Sequence, residues 1–293
     1  MMKVIECQHV KKSYRKIHAL EDITFQIEDH KITGLIGRNG AGKTTLLKIL
    51  AGFVNEDTGD VRVFSNHPFN NLCVSANSIL VDNQMSFPDS LTLADILEIA
   101  PSFYSKWDAQ LAARLFHYFN LNPKQQHSKL STGTRGTFNM IFGLATRCEL
   151  TMFDEPTNGM DEAVRTDFYR ALLKEYIAHP RTILISSHHL AEIEHLLEDI
   201  LLIHKGKVVF HKSLEEVKEY AVGIQGPIEK VIEFTSQMEI LHTKQMNDQL
   251  LYTVVKKDGP MNLEGVSTKP ISPSDICMYI TSDSKGGIDD VFN

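Results

Sequence analysis

Short apolar runs bounded by polar or glycine residues recur along the first two thirds of the chain. Residues 4–10, 23–27, 31–36, 61–64, 79–81, 150–153, 182–185, 200–203 and 208–210 each have the length and β-branched content of a strand. Helical patterns alternate with them through about residue 210, which predicts a mostly parallel α/β core. The first pair and the strand at Val61 are expected to run antiparallel, joined by tight turns such as Glu28-Asp29-His30. Between residues 85 and 148 the strand pattern gives way to three helical stretches, 93–100, 109–119 and 133–147. They read as a helical subdomain inserted into the α/β core. Beyond about Tyr220 the pattern changes again. Gly223-Ile224-Gln225-Gly226-Pro227 reads as a break, residues 230–234 and 249–255 as strands, and 274–279 as a short helix. The expected division is therefore a domain over residues 1–220 and a small α+β extension over 221–293.

Composition narrows the class without naming a chemistry. The 293 residues are 42% hydrophobic and 23% charged, ordinary for a globular protein with a sizeable core. A net charge of −7 does not favour nucleic acid as a partner. No apolar run approaches the ~20 residues of a membrane span. The N-terminal residues lack the zones of a signal peptide. Cys7, Cys73, Cys148 and Cys277 are widely spaced without metal-ligand spacing, which suits reduced thiols in a cytosolic protein.

One loop carries the strongest chemistry. Gly37-Arg38-Asn39-Gly40-Ala41-Gly42-Lys43-Thr44 fits the phosphate-loop pattern G-x-x-x-x-G-K-[ST]. Its glycines let successive backbone N–H groups converge on one anion, Lys43 reaches the outer phosphates, and the Thr44 hydroxyl can ligate Mg²⁺. An apolar strand precedes the loop, and a helix beginning at Thr45 follows, an arrangement that places the anion at a helix N-terminus. A second apolar strand ends in Asp154 and Glu155. Alone, that is a solvated acidic strand end. Downstream of a phosphate loop it reads as a metal-facing aspartate and a general base. A third strand ends in Ser186-Ser187-His188, which puts a histidine at the ligand edge of an open sheet, although His189 adjoins it. Gln84 after the 79–81 strand is either an exposed loop residue or a Mg²⁺ ligand. Tyr14 in a basic turn is either a half-buried core residue or a platform for a purine ring.

Taken in order, these segments resemble the nucleotide-binding domain of the ABC (ATP-binding cassette) ATPases over about residues 3–220. The resemblance makes Tyr14 the adenine-stacking aromatic and Gly37–Thr44, with Thr45, the Walker A segment. Gln84 becomes the Q-loop residue, Leu130-Ser131-Thr132-Gly133-Thr134 the signature, and residues 150–154 the Walker B strand. Glu155 is then the base, Asn158-Gly159-Met160-Asp161 the D-loop, and His188 the switch histidine. It implies a P-loop NTPase fold of ABC type, with a mixed-sheet core, an antiparallel β subdomain and the inserted helical subdomain. ATP and Mg²⁺ are the implied ligands. Two cassettes are implied to pair head to tail, each ATP lying between one phosphate loop and the Ser131 and Gly133 of the other chain, which is identical or not. The signature departs from the usual Leu-Ser-Gly-Gly-Gln at Thr132 and Thr134, which bears on turnover. The implied task is to energise a separately encoded integral-membrane permease from the inner face of the cell membrane, with export of peptides, drugs or envelope components expected. A soluble ABC ATPase of translation or DNA maintenance, and an importer ATPase, are the alternatives.

Overall fold

The computed structural model describes residues 3–257, 259 and 264–282, so residues 283–293 of the expected extension lie outside it. The chain divides into two compact units, one of residues up to 188 with 195–211, the other of 189–194 with the residues from 212 onward. Among the described residues no helix is long and apolar enough to cross a membrane.

The first unit is built on strands β1 (Lys3–Tyr14), β2 (Ile17–Glu28), β3 (Ile32–Ile36), β4 (Thr58–Val63), β5 (Ser78–Val81), β6 (Leu150–Asp154), β7 (Thr182–Ser187), β8 (Asp199–His204) and β9 (Lys207–Ser213). They form one mixed sheet in the order β4-β1-β2-β9-β8-β3-β7-β6-β5. β3, β6 and β7 are buried along their whole length and pair in parallel, which is why they read as unbroken apolar runs. β1 pairs antiparallel with both β2 and β4, as expected. The expected role of Glu28-Asp29-His30 needs correction. That turn leads from β2 into β3, and β9 and β8 lie between those two strands. The antiparallel β1–β2 pair is closed instead at Arg15-Lys16, where Arg15 has φ 55°.

Helices α1 (Lys43–Leu50), α2 (Leu72–Asn77), α3 (Leu93–Ile99), α4 (Ala109–Tyr118), α5 (Thr132–Thr146) and α6 (Glu162–Ala178) complete this unit. Between β5 and β6 no strand forms among the described residues and helices dominate, apart from a single antiparallel bridge between Thr92 and Gln126, as the pattern predicted. Asp108, Ser131 and Asp161 cap α4, α5 and α6 by accepting from backbone N–H groups of the first turn. α1 buries Leu46, Leu47, Ile49 and Leu50 in the main core, which pins the phosphate loop ahead of it.

The second unit holds α7 (Leu190–Ile193), α8 (Leu214–Lys218), β10 (Ala221–Pro227), α9 (Ile228–Thr235), β11 (Ile240–Gln245), β12 (Leu250–Lys256), β13 (Ser267–Pro270) and α10 (Pro273–Thr281). Its sheet runs β11-β12-β10-β13, all antiparallel. Two expectations fail here. Gly223–Pro227 is no break but part of central strand β10. A Cβ on Gly223 would sit 2.6 Å from the Tyr252 hydroxyl, so the glycine marks close approach within a sheet. Residues 230–234 are helical, not extended. Val231 and Thr235 are buried while Glu233 between them is exposed, which the turn of a helix allows but the alternation of a strand, placing all three on one face, does not. The strand expected at 249–255 and the helix at 274–279 are β12 and α10.

Candidate active site

The loop between β3 and α1 is shaped by its glycines. Gly40 and Gly42 have φ of 81° and 108°, values that disfavour any side chain. A Cβ on Gly37 would lie 2.3 Å from the Ile203 carbonyl oxygen, and one on Gly42 2.6 Å from that of Ala19. The backbone of Gly37, Arg38, Asn39, Gly40, Ala41 and Gly42 is thus held against β8 and β2 and curls ahead of α1. Ala41 adds a carbonyl that accepts from Gly206 N at 3.1 Å. Thr45 lies in the first turn of α1.

Four strand and helix ends converge on this loop. Lys43 is buried, donates to the Gly37 carbonyl at 2.6 Å, and lies 3.1 Å from Glu155 Oε1. Thr44 Oγ1 donates to Asp154 Oδ2 at 2.7 Å. Ser186 Oγ donates to Asp154 Oδ1 at 2.6 Å and accepts from Glu155 N at 2.9 Å. His188 Nδ1 is 2.7 Å from Glu155 Oε2. Glu155 sits in the left-handed region at φ 48°. For a non-glycine residue that conformation is strained, and it is held because its N–H and carboxylate are both engaged. Phosphate-cradling glycines, a lysine, a threonine hydroxyl, two carboxylates and a histidine therefore share one place at the carboxyl ends of β3, β6 and β7.

The donor set fits a nucleotide with its cation. The loop offers backbone N–H groups at a helix N-terminus, where a Cβ on Gly37 or Gly42 would meet neighbouring backbone. Thr44 Oγ1 and Asp154 Oδ2 are hard oxygen donors already side by side, which suits Mg²⁺.

The remaining expected residues form three further places. Gln84 follows β5, and its Oε1 accepts from Lys48 Nζ of α1 at 2.8 Å. Ser131 and Gly133 stand at the N-terminus of α5. Ser131 Oγ is 2.8 Å from Thr134 Oγ1, so one of the two signature departures engages the signature serine itself. A Cβ on Gly133 would lie 2.6 Å from the Gly159 carbonyl oxygen, which packs the signature turn against the 158–161 segment. Asp161 spends its carboxylate as the cap of α6, accepting from Val164 N at 2.9 Å. Tyr14 is 43% exposed, with Lys12 Nζ 5.7 Å from its ring centroid.

Sequence reasoning overlooked Ser186 and Lys48. Ser186 was visible only as a small polar residue ending an apolar strand. Its importance comes from the register that sets it opposite Asp154.

Comparison with known proteins places this geometry among described relatives. Residues 20–158 match the family described as ABC transporter. The ABC transporter ATP-binding protein YtrB of Bacillus subtilis (strain 168) is 30% identical over 226 residues, 76% of this chain and 76% of its own. The lantibiotic transport ATP-binding protein SrtF of Streptococcus pyogenes is 27% identical over 72% of this chain and 92% of its own. Among solved structures, the dimeric bacterial ABC transporter cassette MJ0796 superposes with a TM-score of 0.63 at 19% identity, covering 72% of this chain and 98% of that one.

Proposed function

The chain belongs to the ATP-binding proteins of ABC transporters, and from that premise we propose that it energises an exporter whose membrane-spanning part is a separate polypeptide. It binds and hydrolyses ATP, as this family does. The observation that carries the finer reading is a groove of about 590 Å³ beside the helix that leaves the phosphate loop. Lys48, Phe53, Val54, Gln84, Met85 and Tyr104 line it. Phe53 is 64% exposed there. An open groove with apolar walls and a few polar groups suits an inserted segment of a partner. Because Gln84 lines it and bonds Lys48 of α1, an occupant acts on a residue tied to the nucleotide helix. One relative is named for lantibiotic transport, which supports a peptide, drug or envelope component as cargo. The chain would then work at the inner face of the membrane, held there by its permease.

In this reading Tyr14 stacks on adenine, and the loop from Gly37 to Thr44, with Thr45, wraps the phosphates. Thr44, Asp154 and Gln84 would hold Mg²⁺, which when bound offsets phosphate charge. Glu155 takes a proton from water as the water oxygen bonds to the γ-phosphorus and the bond to the β-phosphate oxygen breaks. His188 orients the Glu155 carboxylate through the 2.7 Å contact and faces the γ-phosphate. Ser131 and Gly133 of a second chain, the same or a different one, close over that phosphate. Asp161 sets the start of α6 beside them.

The test is recovery of the tagged protein from its own cell after mild detergent extraction of membranes. A polytopic membrane protein in fixed stoichiometry is expected. Recovery only in the soluble fraction, with ribosomes, DNA or itself, would refute the transporter reading.

A further inference from the structure

Asn139 lies within the apolar run of α5 and is 2% exposed. Both ends of its amide are engaged. Oδ1 accepts from His127 Nε2 at 2.7 Å, and Nδ2 donates to the Asp82 carbonyl at 3.3 Å. The opposite amide orientation would set its oxygen against that carbonyl, so the contacts define Asn139 and make His127 Nε2 the protonated nitrogen. His127 is equally buried, in a turn four residues before Ser131. Phe87 and Phe138 flank its ring at centroid distances of 5.0 and 5.7 Å. Burial depresses its pKa, which keeps the ring neutral. On the far side, Asp82 Oδ1 accepts from Gln84 N at 2.9 Å, and Gln84 Oε1 accepts from Lys48 Nζ. A path of hydrogen bonds, linked through the backbone and side chains of Asp82 and Gln84, thus joins the loop that enters the Ser131 segment to Gln84 and α1.

We propose that His127 and Asn139 are positioning residues for ATP hydrolysis, fixing where the Ser131 segment stands relative to Gln84. This rests on the roles given above to Gln84 and Ser131. In a head-to-tail pair Gln84 serves the chain's own nucleotide and Ser131 that of its partner, so the path links the two ATP sites. The His127–Asn139 end of the path is buried and has one good arrangement, because any slip leaves a donor unpaired in a dry interior, while the Asp82–Gln84–Lys48 end lies at the surface.

Steady-state ATP turnover by the full-length protein tests this as a double-mutant cycle. His127→Phe keeps the aromatic packing and deletes the donor. It should lower kcat about tenfold with KM for ATP nearly unchanged. His127→Gln carries an amide N–H close to the position of Nε2 and should restore at least about half of kcat. In a Gln84→Ala background, His127→Phe should add less than about a twofold loss, because the path is already cut. If His127→Phe does not fold, Asn139→Asp replaces it. That variant still accepts from His127, cannot donate to the Asp82 carbonyl, and carries the same expectation. Losses that multiply across the cycle, or a glutamine no better than phenylalanine, would overturn the relay alone. A Gln84→Ala variant with wild-type kcat would overturn the role of Gln84 and the relay with it.

Discussion

Two glycines two residues apart in the phosphate loop should respond very differently to alanine. Both have positive φ, 81° at Gly40 and 108° at Gly42, so each substitution carries a backbone penalty of about 1–2 kcal/mol. At Gly40 that is the whole cost, since a Cβ there meets nothing within 4 Å. At Gly42 the new carbon would lie 2.6 Å from the Ala19 carbonyl oxygen and 2.7 Å from Leu20 Cδ2. Neither can retreat easily, because Leu20 is buried and Glu21 N of the same strand is bonded to the Gly206 carbonyl. Opening both contacts adds overpacking of about 1–3 kcal/mol. Gly42→Ala should therefore be less stable than Gly40→Ala by about 2 kcal/mol, or about 4–8 °C in melting temperature at this size. Thermal melts of both variants and the wild type, without nucleotide, measure it. Equal melting temperatures, or a lower one for Gly40→Ala, would show that close packing against β2 does not constrain the loop.

Three further outcomes follow from the same geometry. Glu155→Gln should lower ATP turnover by at least about 100-fold while nucleotide binding persists, because the amide cannot take the proton from water. Equal rates would remove Glu155 as the base. Ser186→Ala deprives buried Asp154 Oδ1 and Glu155 N of a shared partner and should cost about 2–4 kcal/mol in denaturant titration. A loss below about 0.5 kcal/mol would mean that neither bond matters. Burial pushes the Asp199 carboxyl up, but the nearby His211, Thr33 and Lys31 side chains outweigh it and hold its pKa below the ordinary value. The stability it contributes is complete above about pH 4 and falls away as the pH drops through that depressed value. Unfolding midpoints at pH 5 and pH 3 should therefore differ more for the wild type than for Asp199→Asn, and matching differences would contradict the assignment.

Contiguous chemistry was legible before folding. The phosphate loop needs its glycines, lysine and threonine within eight consecutive residues, and the strand and helix flanking it follow from local hydrophobic pattern. The inserted helices between β5 and β6 were equally plain, because helical period and strand period do not resemble each other over ten or more residues. Short elements were harder. α9 carries only eight residues, and its apolar stretch satisfies both periods until exposure of Glu233 between buried Val231 and Thr235 separates them. Gly223 looked like punctuation because a glycine that breaks a chain and one that admits a neighbouring ring read the same.

The sequence by itself therefore determined that this protein holds a nucleotide's phosphates, and which strands and helices carry the loop that does so. Only the tertiary structure decided the partners of that loop. Ser186 meets Asp154 because parallel pairing of β6 and β7 puts those two residues in register. Asn139 reaches Asp82 across 57 positions of chain. Period-two and period-3.6 patterns specify which face of an element is buried, but they leave open which element lies beside it and at what register. Sheet order and helix packing settle both, and with them the hydrogen bonds that join residues distant in sequence.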